Sequence, residues 1–345
     1  MSATELQPAD QRVTASEREW LIPCTIMTAM LGTAAVLLMP AAGYTEVPPY
    51  FTRFLNWMVY TFLGATLLLT VQVVKMWWNG VESPVGHLIG RFRATKGTLL
   101  IAIAGIMLCG IDLLFFMWIK PEVTAIAPFR ADELYAGIDH AIFGTDPWRL
   151  FQGIDLTFHA WAYSFFWAIA IMGSLVWLFA QRPSKERSAT LLSYFVLWSI
   201  FGPIGQMLGS AAGPIFYRRI GLGDRFLELE NSIPEVTQRV SGYLWDMHMA
   251  GEAAAGAGIS AMPSLHIATV VWIYLAFRGQ RSRIAPFAAL FAFYIFALSV
   301  ALGWHYAIDG IAGALGAFGS HWICRAWLRA RSPKPVQEIG VAPAA

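Results

Sequence analysis

Two short stretches hold the residues best suited to chemistry. GISAMPSLHIA, residues 258–268, places His266 just after a proline, and GWHYAIDG, residues 303–310, sets His305 and Asp309 four residues apart. The fixed backbone angle of a proline suits a first helical position. Pro263 is therefore expected to open a helix whose first turn holds Ser264, Leu265 and His266, with unpaired N–H groups able to hold a phosphate. Residues four apart share a helical face, which puts Asp309 one turn below His305 and in reach of one ring nitrogen. A carboxylate there fixes the tautomer and leaves the other nitrogen unprotonated and nucleophilic. His266 can then donate a proton to a departing oxygen. Together the three side chains describe phosphoryl transfer through a phosphohistidine, with no metal and no cofactor. Two histidines and a carboxylate also compose an iron-binding facial triad. Polar groups satisfied within a helix bundle are the structural alternative.

The rest of the chain reads as the frame for these stretches. With 57% hydrophobic and 13% charged side chains in 345 residues, there is too little charge to solvate a globular surface of this size. The chain reads as an all-α, polytopic membrane helix bundle. A net charge of +2 gives no footing for nucleic acid. Cys24, Cys109 and Cys324 fall in separate apolar runs, without disulfide or zinc spacing. About 20 apolar residues cross a bilayer, and eight runs qualify: 20–39, 54–74, 97–119, 157–180, 189–209, 264–277, 284–303 and 305–327. The first resembles a secretory leader followed by Ala41, Ala42 and Gly43, but its length and the preceding Glu5, Asp10, Glu17 and Glu19 favour a retained span. Cytoplasmic loops carry an excess of Lys and Arg. With both termini cytoplasmic, most basic residues fall inside: Arg12 and Arg18; Lys75, Arg91, Arg93 and Lys96; Arg182, Lys185 and Arg187; Arg278, Arg281 and Arg283; Arg325, Arg329, Arg331 and Lys334. Both motifs then lie on the outer, periplasmic side of a plasma or inner membrane. The implied organisation is a tail at 1–19, two N-terminal spans and a basic loop at 20–96, a six-span core at 97–327 and a tail at 328–345.

Two outer segments frame the site. In DELYAGIDHAIFGTDPW, Leu134, Ile138, Ile142 and Phe143 recur at helical spacing, which predicts a short helix on the membrane surface. Asp139 and His140 within it either belong to that helix alone or line an entrance. The second segment opens with AAGPIFYRRIGLGDRF, residues 211–226, where Arg218, Arg219 and Arg225, with Tyr217 beside them, offer planar donor forks suited to phosphate. Lipid headgroups are the other partner for such arginines. A surface helix interrupted near Pro234 follows, then the alanine- and glycine-rich run 250–258. Asp112, inside the third span, either serves the site or pairs with a polar neighbour. His159 and Gln206, at outer span ends, either sit at the interface or face the site. His87 and His321 fall on the inner side as structural residues. The run after Pro263 spans only 14 residues before Arg278, which sinks the site below the outer surface, near the depth of a lipid phosphodiester.

SAMPSLH and GWHYAIDG resemble the second and third signatures of the phosphatidic acid phosphatase type 2 superfamily. The stretch from AAGPIFY through GISAMPSLHIA to GWHYAIDGIAG is similar to bacterial members grouped with inositol phosphorylceramide synthase. The resemblance covers roughly residues 97–327, a six-span core with two extra spans in front. It implies that His305 is the nucleophile, Asp309 its orienting partner and His266 the general acid. Phosphatases of the superfamily usually carry PSGH and an arginine six residues before the nucleophile; here Leu265 and Ser299 stand at those positions. The first signature, a lysine and an Arg-Pro pair, survives loosely as Arg218 and Arg225, with Phe226 in the proline's place, so Arg218 or Arg219 is expected to bind phosphate, near Ser264 and Tyr217. That loss resembles the lipid phosphotransferase branch, which moves a phosphorylated headgroup from a phospholipid donor to a hydroxyl acceptor. A lipid phosphate phosphatase using water, and a non-enzymatic lipid-binding or transport protein, are the alternatives. Membrane lipids are the expected surroundings, and no residue pattern points to an oligomeric state.

Overall fold

The computed structural model describes residues 9–38, 47–251 and 258–331. Glu5, Ala41, Ala42, Gly43, Lys334 and most of the run 250–258 lie outside the described residues. Among the described residues there is no strand. The order is α1 (Ala9–Leu38), α2 (Val47–Trp78), α3 (Pro84–Ala94), α4 (Lys96–Ile126), α5 (Asp132–Phe143), α6 (Thr157–Phe179), α7 (Lys185–Phe195), α8 (Gly202–Leu208), α9 (Leu227–Ser232), α10 (Glu235–Ala250), α11 (Leu265–Gly279), α12 (Ala285–Ala301) and α13 (Ala307–Ala330). A π-helical turn, Val196–Phe201, joins α7 to α8 into one rod. The chain is an integral membrane protein.

All eight expected runs are helical, but they do not all have the same reach. Five are long and apolar enough to cross a membrane: Glu17–Leu38, Phe54–Trp78, Lys96–Ile126, Thr157–Phe179 and Lys185–Leu208. At 1.5 Å per residue, the 15 residues of α11 and 17 of α12 extend only about 22 and 25 Å. The 24 residues of α13 have the length, but Asp309, His321 and glycines dilute its apolar character. Those glycines, Gly310, Gly313 and Gly316, recur every third residue, and a Cβ on them would meet Phe296, the Ser264 carbonyl and Phe201 respectively. Small residues on one stripe let helices approach closely.

The centre of the bundle is α11, packed against α6, α7, α12 and α13. Residues on every side of it are buried, from Ile267 to Phe277, as an all-round apolar helix requires. By contrast α2 leaves Phe62, Leu67 and Trp78 exposed and packs only one side, against α4 and α6. In a bilayer those exposed side chains meet lipid. Asp112 takes the structural course: buried on α4, it accepts hydrogen bonds from Thr28 on α1 (2.9 Å) and Ser199 in the π-turn (2.6 Å).

At the end of the bundle opposite the two motifs, α1 is tied to α7 by charge. Glu17 and Arg187, both 1% exposed, meet at 2.5 Å, and Trp20 Nε1 donates to the same carboxylate. Arg187 also donates to the Leu178 carbonyl. Nearby, His321 and Arg325 of α13 both reach Glu186, at 3.1 and 2.9 Å, so His321 is structural. Removing one partner of a buried ion pair leaves an uncompensated charge, which costs about 3–5 kcal/mol. Arg187→Met is therefore expected to lower the thermal midpoint of the detergent-solubilised protein by many degrees. The double variant Glu17→Gln/Arg187→Met should recover more than half of that loss in the same melt.

Candidate active site

The two motifs, distant in sequence, are stitched into one unit by backbone hydrogen bonds. Ser264 N–H donates to the Asp309 carbonyl (3.1 Å), Ala261 N–H to the Ala211 carbonyl (2.8 Å) and Ile215 N–H to the Gly303 carbonyl (2.9 Å). Gly213, at φ +104°, lies against the Trp304 carbonyl, where any side chain would collide.

Helix α11 does not begin at its proline. Ser264 is the N-cap, its hydroxyl accepting from Ile267 N–H at 3.4 Å, and the helix starts at Leu265. Pro263 precedes the cap and is joined to Met262 by a cis peptide. Ser264, fully buried, does not line the cavity described below. The first-turn N–H groups of Leu265 and His266 remain without helical acceptors, as at any helix start.

The orientation of His305 has a different source from the one its spacing suggests. Its Nδ1 lies 2.8 Å from the Ala261 carbonyl, whereas the Asp309 carboxylate is 3.8 Å away. A carbonyl only accepts, so Nδ1 carries the hydrogen and, in the neutral ring, Nε2 holds the free lone pair. Asp309 turns instead to the Tyr306 N–H, at 2.8 Å. Helix α13 begins at Ala307, so His305 precedes it and the one-turn geometry does not apply. Asp309 acts as an N3 residue folding back onto the cap.

Helix α5 supplies further carboxylates. Asp132 accepts from the N–H groups of Ala212 and Gly213 and from the Tyr306 hydroxyl. Asp139 accepts from Ala307 N–H (2.6 Å) and Ile308 N–H (3.0 Å), the first turn of α13. Burial pushes both carboxyls above their usual range, and the N–H donors pull them partly back. The apolar residues Leu134, Ile142 and Phe143 point outward. The expected short helix is present as α5 with Asp132 and Asp139 turned inward; Asp139 grips α13, while its neighbour His140 is exposed.

Both histidines open onto one cavity of about 380 Å³. Its walls are mostly apolar and aromatic, including Phe116, Tyr163, Trp167, Trp198, Phe216 and Trp304. His266 is held between Tyr163 (ring centroids 4.9 Å) and Trp167 (4.3 Å), and its ring centre is 6.3 Å from that of His305. Among the described residues, Lys120 is the only charged side chain on the wall. No carboxylate pairs with its ammonium among the described residues. Sequence reasoning missed it because it is the first residue beyond the apolar run 97–119, where a lysine reads as an ordinary span end. Gln206 also lines the cavity, donating to the Lys120 carbonyl and Thr124. His159 does not line it and pairs with Tyr294 at 2.7 Å.

The arginines lie elsewhere. Arg225 donates to Asp146 and to the Ala136 carbonyl, which anchors α5; Asp146 holds it charged more firmly than usual. Arg218 faces Asp224 at 3.1 Å and Arg219 faces Glu230 at 3.5 Å. These two line a second, polar pocket of about 260 Å³. Tyr217 is buried against Phe226. None of the four lines the histidine cavity. Ser299, in the expected arginine position, is buried, and its carbonyl accepts from the N–H groups of Trp304 and His305. Among the described residues no three histidine, cysteine or carboxylate side chains gather as a metal-ligating set.

A family model described as PAP2 superfamily matches residues 149–323, just over half of the chain and both motifs. The chain belongs to the PAP2 superfamily. Membership places it among phosphatase- and phosphotransferase-type lipid enzymes. No curated protein and no solved structure matches the chain.

The docking of the two PAP2 motifs makes a test. A Cβ on Gly313 would fall against the Ser264 carbonyl and 3.3 Å from Ala268 N, whereas Gly319, on the same helix, has nothing within 4 Å. Gly313→Ala should cost a large fraction of the thermal stability in detergent. Gly319→Ala should leave the midpoint unchanged or raise it slightly, since alanine favours helix by about 1 kcal/mol over glycine.

Proposed function

We propose that this PAP2 protein is a lipid phosphotransferase that moves a phosphorylated headgroup from a phospholipid, or another lipid-linked phosphate, to a hydroxyl acceptor at the outer membrane face, in the manner of inositol phosphorylceramide synthase. The observation that carries the reading is the Nδ1–Ala261 hydrogen bond, which leaves His305 Nε2 as the nitrogen with a lone pair beside the cavity. His305 Nε2 attacks phosphorus as the bond to the leaving lipid alkoxide breaks. His266 gives that alkoxide a proton. The acceptor hydroxyl then attacks the phosphohistidine, returns a proton to His266 and frees His305. Lys120 supplies positive charge to the phosphoryl oxygens, which gain charge in the transition state. The arginines Arg218 and Arg219, with their own polar pocket, serve outlying headgroup contacts. Asp309 keeps the loop after His305 in register through Tyr306 N–H and adds negative charge near the ring.

The test follows phosphorus from labelled phospholipids incubated with purified protein in the presence of a chelator, with and without a lipid alcohol. Label on a second lipid is the expected outcome, and free phosphate or a released phosphorylated headgroup would instead mark a hydrolase. His305→Ala should fall to background and His266→Ala by about 10²- to 10⁴-fold. Lys120→Met, losing a charged hydrogen bond, should lose roughly 10- to 100-fold in kcat/KM. Unchanged turnover in His305→Ala would sink the reading, and activity that returns only with added metal would replace the phosphohistidine mechanism.

A further inference from the structure

We propose that Asp139, on α5, is a positioning residue for the reaction, holding His305 through the first turn of α13. The inference rests on the phosphohistidine reading, and its residue lies outside the matched region 149–323.

The backbone around His305 is fixed at each N–H. Trp304 and His305 donate to the Ser299 carbonyl. Tyr306 donates to Asp309. Ala307 and Ile308, the first two residues of α13, donate to the two oxygens of Asp139. These are N–H groups that a helix start cannot satisfy itself. Asp139 is 2% exposed, so water does not substitute freely for it, and its charge sits at the favourable end of the α13 dipole. Asp132, also on α5, accepts from the Tyr306 hydroxyl, but among the described residues only Asp139 reaches the Ala307 and Ile308 N–H groups from outside α13. The grip itself is anchored, since Arg225 holds α5 by the Ala136 carbonyl and the segment just after it by Asp146. Loss of the Asp139 carboxylate frees the turn that carries His305, and the ring drifts from its bond to Ala261. A shift of about 1 Å in a reacting group can cost 10²-fold in rate.

The experiment compares Asp139→Asn, Asp139→Ala and the control Glu133→Gln with wild type, by steady-state turnover on labelled phospholipid and by NMR of ring-¹⁵N-labelled histidine. Asp139→Asn, which keeps one acceptor oxygen, should lower kcat roughly 10-fold, and Asp139→Ala roughly 100-fold. KM should stay within about twofold, because the residue touches no substrate. The His305 Nδ1 resonance, identified by its loss in His305→Ala, should move toward that of a solvent-exposed ring in both Asp139 variants. Glu133→Gln should change neither readout. A rise in KM with kcat unchanged would overturn the proposal, as would a lower thermal midpoint with kcat and the resonance both unmoved. If His305→Ala keeps full turnover, the phosphohistidine reading fails, and the resonance alone then decides whether Asp139 positions the ring.

Discussion

The bond from His305 Nδ1 to the Ala261 carbonyl sets the chemistry of the site. In free energy it is an ordinary hydrogen bond, contributing about 1 kcal/mol net. Its importance lies in direction: it joins the loop before α11 to the loop before α13 and fixes which ring nitrogen faces the cavity. The surrounding backbone bonds, Ser264 to Asp309, Ala261 to Ala211 and Ile215 to Gly303, hold the two ends of that bond at the right separation. The glycine stripe of α13 serves the same end by letting Gly313 approach the Ser264 carbonyl.

Much of this was legible in the chain. Apolar runs of about 20 residues located the helices because a bilayer leaves few other solutions, and the two motifs located the histidines. What the spacing could not supply was where a helix begins. His305 and Asp309 are four apart, but the helix starts between them, at Ala307, so the carboxylate folds back to a backbone N–H and the tautomer falls to a carbonyl in the other motif. Pro263 misled in the same way, since Ser264, with a hydroxyl able to cap, took the position that ends the loop. Carbonyl partners carry no side-chain signature.

Lys120 and the arginines make a related pair. Three arginines within eight residues read as an anion site, and each has an acidic partner in the fold: Asp224, Glu230 and Asp146. A single lysine at a span end reads as a snorkelling residue, and it is the one that enters the histidine cavity. Charge density along the chain indicates where cations are, not which of them the fold pairs: the three arginines meet carboxylates away from the histidines, whereas Lys120, with no carboxylate partner among the described residues, lines their cavity. Periodicity has the same limit in α5. It showed which residues share a face and left undecided that Asp132 and Asp139 point inward, where the N–H groups of 212–213 and 307–308 receive them.

The cavity wall bears on why such a site would favour an alcohol over water. A phosphohistidine is open to any hydroxyl that reaches it, and bulk water is the most abundant. The walls are mostly apolar and aromatic, His266 lies against Tyr163 and Trp167, and α10 contributes Val240 and Leu244 to the lining. Such surfaces hold water poorly, and they make apolar contact with the chain of a lipid acceptor. On the proposed reaction, the competing nucleophile is thus disfavoured by the wall, while Lys120 and the two histidines supply the groups that act on the phosphoryl group. Widening that wall, as Trp167→Ala does by removing an indole beside His266, should shift product from transferred headgroup toward hydrolysis. The ratio of the two products in a single labelled assay measures that shift, independently of how much total activity the variant retains.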